Sequence, residues 1–197
     1  MYPKYVEVEN KKYKINTDFR VAIECNRIAE DETIGDFERA LAIIYILFGD
    51  EGIDTPEHHK KLLELAQKYL LCGKEKEKRK YQEPDMDFIQ DYGLIWVSMY
   101  SDYSGLDIDK EEIHWWKFMD MLNGLSNSEL GNCCVLNRIR NIRNANPSDI
   151  KDRKERQKLI DAQKEFALKK KKPKRKATEK EKESASEFLR MLKNRKE

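Results

Sequence analysis

Residues 113–122 form an apolar segment that holds two of the three tryptophans in this chain of 197 residues. Its large apolar side chains have the i, i+3, i+4, i+7 spacing of a single helix face: Trp115, Phe118, Met119 and Leu122. An aromatic side chain buries about 150–250 Å² in a core. This face therefore predicts the centre of a helical core. Trp116 lies about 100° around the same helix, so it contacts either another part of the core or a partner protein.

Comparable apolar spacing recurs along the chain and predicts a mainly α fold, an irregular and mainly antiparallel helical bundle. Two short alternating runs around Asn10 and Lys11 are compatible with a small N-terminal β-hairpin. Turn and cap residues predict six helices. The first begins after Thr17 or Asp18, and the other five cover about residues 37–48, 55–73, 88–103, 110–123 and 126–142. Phe37, Leu41, Ile44 and Phe48 are expected to form the buried face of the second helix.

The formal net charge of +2 conceals two regions of opposite charge. Residues 1–147 contain 20 basic and 27 acidic residues, whereas residues 148–197 contain 19 basic and 10 acidic residues. The sequence thus predicts an acidic helical body, 1–147, and a basic extension, 148–197. Within the extension we expect a helix at about 148–168, a polybasic spacer at 169–176 and an amphipathic helix at about 178–196.

Membrane, disulfide and metal functions have little support. The longest apolar run, 40–48, is much shorter than a membrane span, and the first residues lack the apolar stretch of a secretion signal. The cysteines form no Cys-x-x-Cys pair and are expected to pack as small apolar residues: Cys25, Cys72, Cys133 and Cys134. We therefore expect a reduced, soluble, intracellular protein without a metal or another cofactor.

Catalytic residues are also poorly supported. His58 and His59 have no further histidine at metal-ligand spacing, and His114 is expected to pack or to cap a helix. Asp91 lies on an apolar helix face, where a carboxylate requires a charged or hydrogen-bonding partner. Its leading candidate partners are Arg138, Arg140 and His114. We interpret Asp91, His114 and Arg140 as structural polar residues and expect no enzymatic activity.

The polybasic spacer is a candidate polyanion-binding site, and nucleic-acid binding is the main alternative function. It places seven cations within eight residues: Lys169, Lys170, Lys171, Lys172, Lys174, Arg175 and Lys176. Such a segment binds polyanions by releasing counterions, and its affinity falls as salt rises. The two aromatic residues of the extension, Phe166 and Phe188, are not interleaved with these cations, so the stacking residues typical of single-strand binders are missing.

Several short motifs, in this order and spacing, resemble a family of small tail assembly chaperones encoded among the tail genes of tailed bacteriophages. The motifs are Gln90-Asp91, Tyr103-Ser104-Gly105-Leu106-Asp107, His114-Trp115-Trp116-x-Phe118, Leu122-x-Gly124-Leu125, Ile139-Arg140 and the terminal Phe166-Ala167-Leu168 of a basic helix. The resemblance covers roughly residues 15–168 and is densest over 88–140. The His-Trp-Trp-x-Phe motif is its most specific part.

The resemblance implies a non-catalytic protein that acts in the cytoplasm of the bacterial host and is absent from the mature virion. Its implied partners are the tape-measure protein and the tail-tube protein, with self-association as a further expectation. Apolar residues outside the main helix faces are the candidate partner-binding residues: Trp116, Tyr100, Met121, Phe188, Leu189 and Leu192. No membrane partner is expected.

Overall fold

The computed structural model describes residues 2–74, 84–127 and 133–169. These ranges contain eight α-helices and one two-stranded antiparallel hairpin, which confirms the mainly α prediction and the hairpin. Residues 2–74 belong to one compact unit, here called the first unit, and the rest of the described chain belongs to a second unit.

The hairpin pairs β1 (Tyr5–Val8) with β2 (Lys11–Lys14), with Val6 opposite Tyr13. The two residues between the strands both have positive φ, 48° at Glu9 and 68° at Asn10. A two-residue turn of this kind matches the right-handed twist of paired strands. Tyr13 is fully buried, so the hairpin contributes to the core of the first unit.

Four α-helices complete the first unit, in which α1 packs on α2 and α2 packs on α4: α1 (Phe19–Ala29), α2 (Asp36–Phe48), α3 (Asp50–Ile53) and α4 (His59–Leu70). Of the two candidate caps for α1, the structure uses Asp18, whose carboxylate accepts from the Arg20 amide. A 3₁₀ turn at Pro56–His58 leads into α4. That turn agrees with the start predicted near Thr55.

The short helix α3 follows α2 directly, and the sequence pattern did not predict it. Gly49 separates the two helices with a φ of +67°, a conformation that is costly for any other residue. Gly52 then packs against α2 so closely that a Cβ atom there would lie 2.9 Å from the Cβ of Phe48. Two glycines thus allow α3 to follow α2 directly and to pack closely against it.

The prediction for α2 is wrong at one residue, Phe37. Leu41, Ile44 and Phe48 are buried as expected, whereas Phe37 is 67% exposed. Phe37 shares the helix face of Leu41, but it lies in the first turn, beyond the part of the face that is covered. Periodicity identifies the face of a helix and not how far along it the neighbouring elements extend.

The second unit contains α5 (Tyr92–Asp102), α6 (Trp115–Asn123), α7 (Val135–Asn144) and α8 (Arg153–Glu165). Trp115 is buried at its centre, where it stacks on Phe118 and meets the edge of Phe88. The prediction that Trp115 is a core residue is confirmed. The predicted basic helix at 148–168 corresponds to α8, and residues 170–197, including the predicted amphipathic helix, lie outside the described residues.

Three helices of the second unit begin later than the pattern predicted. Residues 88–91 form a turn before α5, so its first apolar residues are not yet helical. His114 caps α6, which therefore begins at Trp115 rather than near Lys110. Cys134 accepts a hydrogen bond from the Asn137 amide and caps α7, which begins well after Ser126. Residues 128–132, which fall within the predicted helix at 126–142, lie outside the described residues.

Two of the four cysteines are buried, Cys25 and Cys134, and the other two are partly exposed. Burial, followed by the nearby charge of Glu24, raises the pKa of the Cys25 thiol to about 12. That thiol therefore stays protonated and packs as a small apolar group. None of the described helices combines the length and the apolar composition that crossing a membrane requires.

Candidate partner-binding surface

Helix α5 carries apolar residues on nearly every side, so packing on one side leaves others uncovered. Ile95 and Met99 are fully buried, whereas Val97 and Tyr100 are 42% and 46% exposed. We define the α5 surface as Gly93, Trp96, Val97 and Tyr100, which lie along the outer side of this helix. It is a continuous apolar strip on a regular element, rather than a single exposed side chain.

The two large rings of the α5 surface hold each other in place. Trp96 and Tyr100 are one helical turn apart and stack with centroids 5.1 Å apart and planes inclined by 13°. The indole nitrogen of Trp96 also donates a hydrogen bond of 3.1 Å to Oδ1 of Asp107. This bond fixes the ring from its other edge. Contacts within the chain therefore order the stack.

Two carboxylates from the loop after α5 accept hydrogen bonds from aromatic side chains of this helix. Asp107 accepts from Trp96 and forms an ion pair of 2.9 Å with Lys110, while Asp109 accepts a hydrogen bond from the hydroxyl of Tyr92. The hydrogen bond from Lys110, and then the one from Trp96, lower the pKa of Asp107. Asp107 consequently remains negatively charged at neutral pH beside an apolar surface.

The charge of the surrounding chain has the same sign. Residues 84–127 contain nine acidic and two basic residues, although the second unit as a whole also includes the basic residues of α7 and α8. Polar and charged groups around an apolar centre keep such a surface soluble. They also select the charge of whatever binds there.

The candidate partner-binding residues differ in their exposure. Tyr100 is exposed, whereas Trp116 and Met121 are only partly exposed. The amide of Trp116 donates to Nδ1 of His114, and the two rings meet edge to face. Trp116 is therefore engaged with the cap of its own helix. Phe188, Leu189 and Leu192 lie outside the described residues, and so do the polybasic residues after Lys169.

Sequence reasoning missed Gly93, Trp96 and Asp107 as members or neighbours of this surface. The signal for Trp96 was available, because the third tryptophan lies off the face formed by Ile95 and Met99. The signal for Asp107 was not, since its contact with Trp96 spans a turn whose geometry the local pattern does not determine.

Asp91 is a structural residue on the buried side of α5. It is only 2% exposed, and both of its carboxylate oxygens accept hydrogen bonds of 2.8 Å from Arg143. Burial and a basic partner were expected, but the named partners Arg138, Arg140 and His114 were wrong. The reason is that α7 begins later than predicted, and Arg143 in its last turn is the residue that meets the start of α5.

Further hydrogen bonds extend this pair into a polar cluster. Arg143 donates to the carbonyls of Asp85 and Phe166, and Arg140 forms an ion pair with the Asp85 side chain. The Gln90 side chain makes two hydrogen bonds to the backbone of Lys169. The cluster ties the starts of α5 and of the second unit to α7 and to the chain after α8. Arg140 therefore has a structural contact, with a different acid from the one expected.

Other polar groups of the second unit are also used in packing. A groove of about 660 Å³ lies between the end of α5 and the start of α7. Among its lining groups, Asp102 accepts from the amide and hydroxyl of Ser126, and Ser98 accepts from the Leu136 amide. His114 caps α6, which is one of the two roles expected for it. Within the described ranges, no three His, Cys, Asp or Glu residues are grouped to hold a metal ion.

Comparison with known proteins gives one match. The family model described as "Bacteriophage Gp15 protein" matches residues 2–168. The chain belongs to this bacteriophage family. The match includes the α5 surface and every helix and strand of the described chain. Membership of the Gp15 family makes this a phage protein and suggests a structural or assembly-related role. No curated protein and no solved structure matches.

Proposed function

We propose that this chain is a tail assembly chaperone that binds the tape-measure protein during tail formation, without catalysis. The observation that carries the proposal is the exposed and internally ordered Trp96–Tyr100 stack on a bacteriophage protein. The sequence motifs that resemble tail assembly chaperones supply the specific client. The tail-tube protein is a second proposed partner, and the proposed location is the host cytoplasm before the virion is complete.

The physical argument rests on what a chaperone surface requires. It must offer apolar area to a helical client segment and still keep the complex in solution. Rings that are already held in place lose little conformational freedom on binding, so more of the contact energy remains as affinity. The α5 surface has such rings, with charged groups beside them.

Co-expression with the tape-measure protein of the same tail gene cluster tests this function. The full chain should keep that protein soluble and elute with it from a sizing column. Tyr100→Ala should weaken the complex by about 30-fold, the effect of a typical aromatic hot spot at an interface. Tyr45→Ala is the matched control, because Tyr45 is also exposed, at 55%, but lies on α2 in the first unit.

If wild type and Tyr100→Ala bind the tape-measure protein equally well, the α5 surface is not the binding site. Failure of the wild type to bind the tape-measure protein at all would remove the proposed function.

The polybasic spacer is tested in the same experiment by raising the salt concentration. At about 300 mM salt, roughly twice the physiological ionic strength, binding through phosphate contacts falls steeply. A complex held mainly by apolar contact should survive this change. A chain that instead retains only nucleic acid at low salt, and loses it at high salt, would favour the alternative function.

A further inference from the structure

Gly93 leaves a gap in the α5 surface for which the packing of the described residues gives no reason. It lies near the start of α5, one turn before Val97. Apart from its chain neighbours and the backbone of its own helix, a Cβ atom placed there would meet no described atom within 4 Å. Its φ does not require glycine. Glycine is less favourable than alanine in a helix, because it loses more backbone freedom on folding. The gap therefore reduces helix stability without serving the fold of the described chain.

A small residue on a helix face allows a close approach by something outside. When the neighbours one turn away are large, as Trp96 and Val97 are here, the small residue becomes the floor of a hole between them. Helix partners insert single side chains into holes of this kind. The α5 surface thus has the shape of a helix-binding face, with one open position at Gly93 beside the larger side chains of Trp96 and Val97.

Charged groups beside the α5 surface limit which kind of partner can bind there. Asp107 is paired with Lys110 and accepts from Trp96, a member of the α5 surface, and Asp109 accepts from the hydroxyl of Tyr92, one turn before Trp96. A cation placed near them gains from the carboxylates and from the faces of the aromatic rings. Asp107 and Asp109 outnumber Lys110 in this group, so its net charge is negative and disfavours nucleic acid and anionic lipid headgroups.

We propose that the α5 surface binds an amphipathic helix whose apolar stripe is flanked by lysine or arginine. One apolar side chain of that helix enters the hole at Gly93, and its cations lie beside Asp107 and Asp109. This inference rests on the proposed function only in taking the α5 surface as the docking face. It adds the chemistry of the segment that docks there.

The hole is tested by Gly93→Ala in the full chain. The substitution should raise the melting temperature, because alanine favours the helix and its methyl group meets no atom of another element within 4 Å. It should nevertheless weaken binding by about tenfold, since an added methyl group overfills a packed position. Ser101→Ala, an exposed change on the same helix, is the control and should leave binding unchanged. If Gly93→Ala binds as tightly as wild type, the claim that a partner side chain enters the open position at Gly93 is wrong.

The charge is tested with two synthetic helical peptides of about 20 residues, close to six helical turns. Both carry the same leucine stripe, flanked in one by lysine and in the other by glutamate. The lysine peptide should bind the full chain more tightly. Asp109→Asn keeps an oxygen for the Tyr92 hydroxyl and should weaken the lysine peptide by about fivefold, as for one exposed ion pair. Glu57→Gln, an exposed acid of the first unit, should change nothing.

The outcomes separate this inference from the proposed function. Equal binding of the two peptides, or no binding of either, would overturn the preference for a basic helix. If the lysine peptide binds as described while overlapping peptides of the tape-measure protein do not, the recognition stands and the proposed client is wrong. If tape-measure peptides bind and those that bind are acidic, the client stands and the recognition is wrong.

Discussion

Trp115 and Trp96 belong to the same unit but have opposite surroundings. Trp115 is 2% exposed, stacks on Phe118 and meets Phe88 at its edge. Trp96 stacks on Tyr100 at the protein surface, and its indole N–H is held by Asp107. Packing of Trp115 removes apolar area from water within the chain. The stack of Trp96 instead leaves ordered apolar area at the surface, where another molecule could contact it. Both tryptophans stack on another aromatic ring, so burial by neighbouring elements, rather than stacking, distinguishes the core residue from the candidate interface residue.

The largest expected effect comes from substituting Trp115, the buried tryptophan of this comparison. Trp115→Ala should lower the free energy of unfolding by about 3–5 kcal/mol, because it leaves a cavity among packed aromatic rings. Trp96→Ala should cost clearly less, since its ring is already partly in water. Urea unfolding of both variants measures the difference. Equal losses would make the α5 surface part of the core.

The polar pair on the buried side of α5 should be almost as sensitive. Asp91→Ala should also cost about 3–5 kcal/mol, because Arg143 is left buried without its charge partner. Arg143→Ala should cost a similar amount, and the double variant should cost much less than the sum. A thermodynamic cycle from thermal melts measures this coupling. Additive losses would show that the two residues stabilise the unit independently.

The sequence predicted the buried side of this unit better than its surface. The i, i+3, i+4 spacing was enough to place Trp115 and Phe118 in the core, because burial follows directly from an apolar helix face. The same reasoning found that Asp91 needs a basic partner but chose the wrong arginines, since that choice depends on where α7 begins. Cys134 as the cap of that helix is an uncommon choice that cap preferences do not favour.

The surface was harder to predict for a different physical reason. Exposure depends on which neighbours reach a helix, and periodicity contains no information on their length, as Phe37 shows in the first unit. Tyr100 was correctly placed off the main face, whereas the role of Trp96 depends on a loop contact with Asp107. The gap at Gly93 could be identified only once its empty surroundings were known.

A smaller effect distinguishes two tyrosines near the end of α5. The hydroxyl of Tyr103 donates a hydrogen bond of 2.7 Å to the Met121 carbonyl, and burial, followed by the nearby Asp102, raises the pKa of Tyr103. Tyr103→Phe should therefore lower the free energy of unfolding by about 0.5–1.5 kcal/mol. Tyr100→Phe keeps the exposed ring and should change stability by less than about 0.5 kcal/mol. A larger loss for Tyr100→Phe would assign Tyr100 a structural role.

The smallest expected effect is the acid sensitivity of Asp85, in the polar cluster on the buried side of α5. Burial alone would raise the pKa of Asp85, but hydrogen bonds from Asn144 and Arg140, together with the charge of Arg140, lower it. A carboxyl whose pKa is lower in the folded state stabilises the fold above its unfolded pKa of about 3.9, and this contribution is lost as pH falls through the folded value. Melting temperatures measured from about pH 5 downward should therefore fall less steeply for Asp85→Asn than for wild type. Asp107 also has a lowered pKa, but its ion-pair partner Lys110 is an exposed side chain, whereas Arg140, the partner of Asp85, is partly buried. Asp107→Asn should therefore change the slope of melting temperature against pH less than Asp85→Asn does, because solvent around the exposed Lys110 screens its pair with Asp107. A larger change for Asp107→Asn than for Asp85→Asn would mean that the loop holding Trp96 contributes to the stability of the unit, and the contrast between a stabilising interior and an available surface would then fail at this loop.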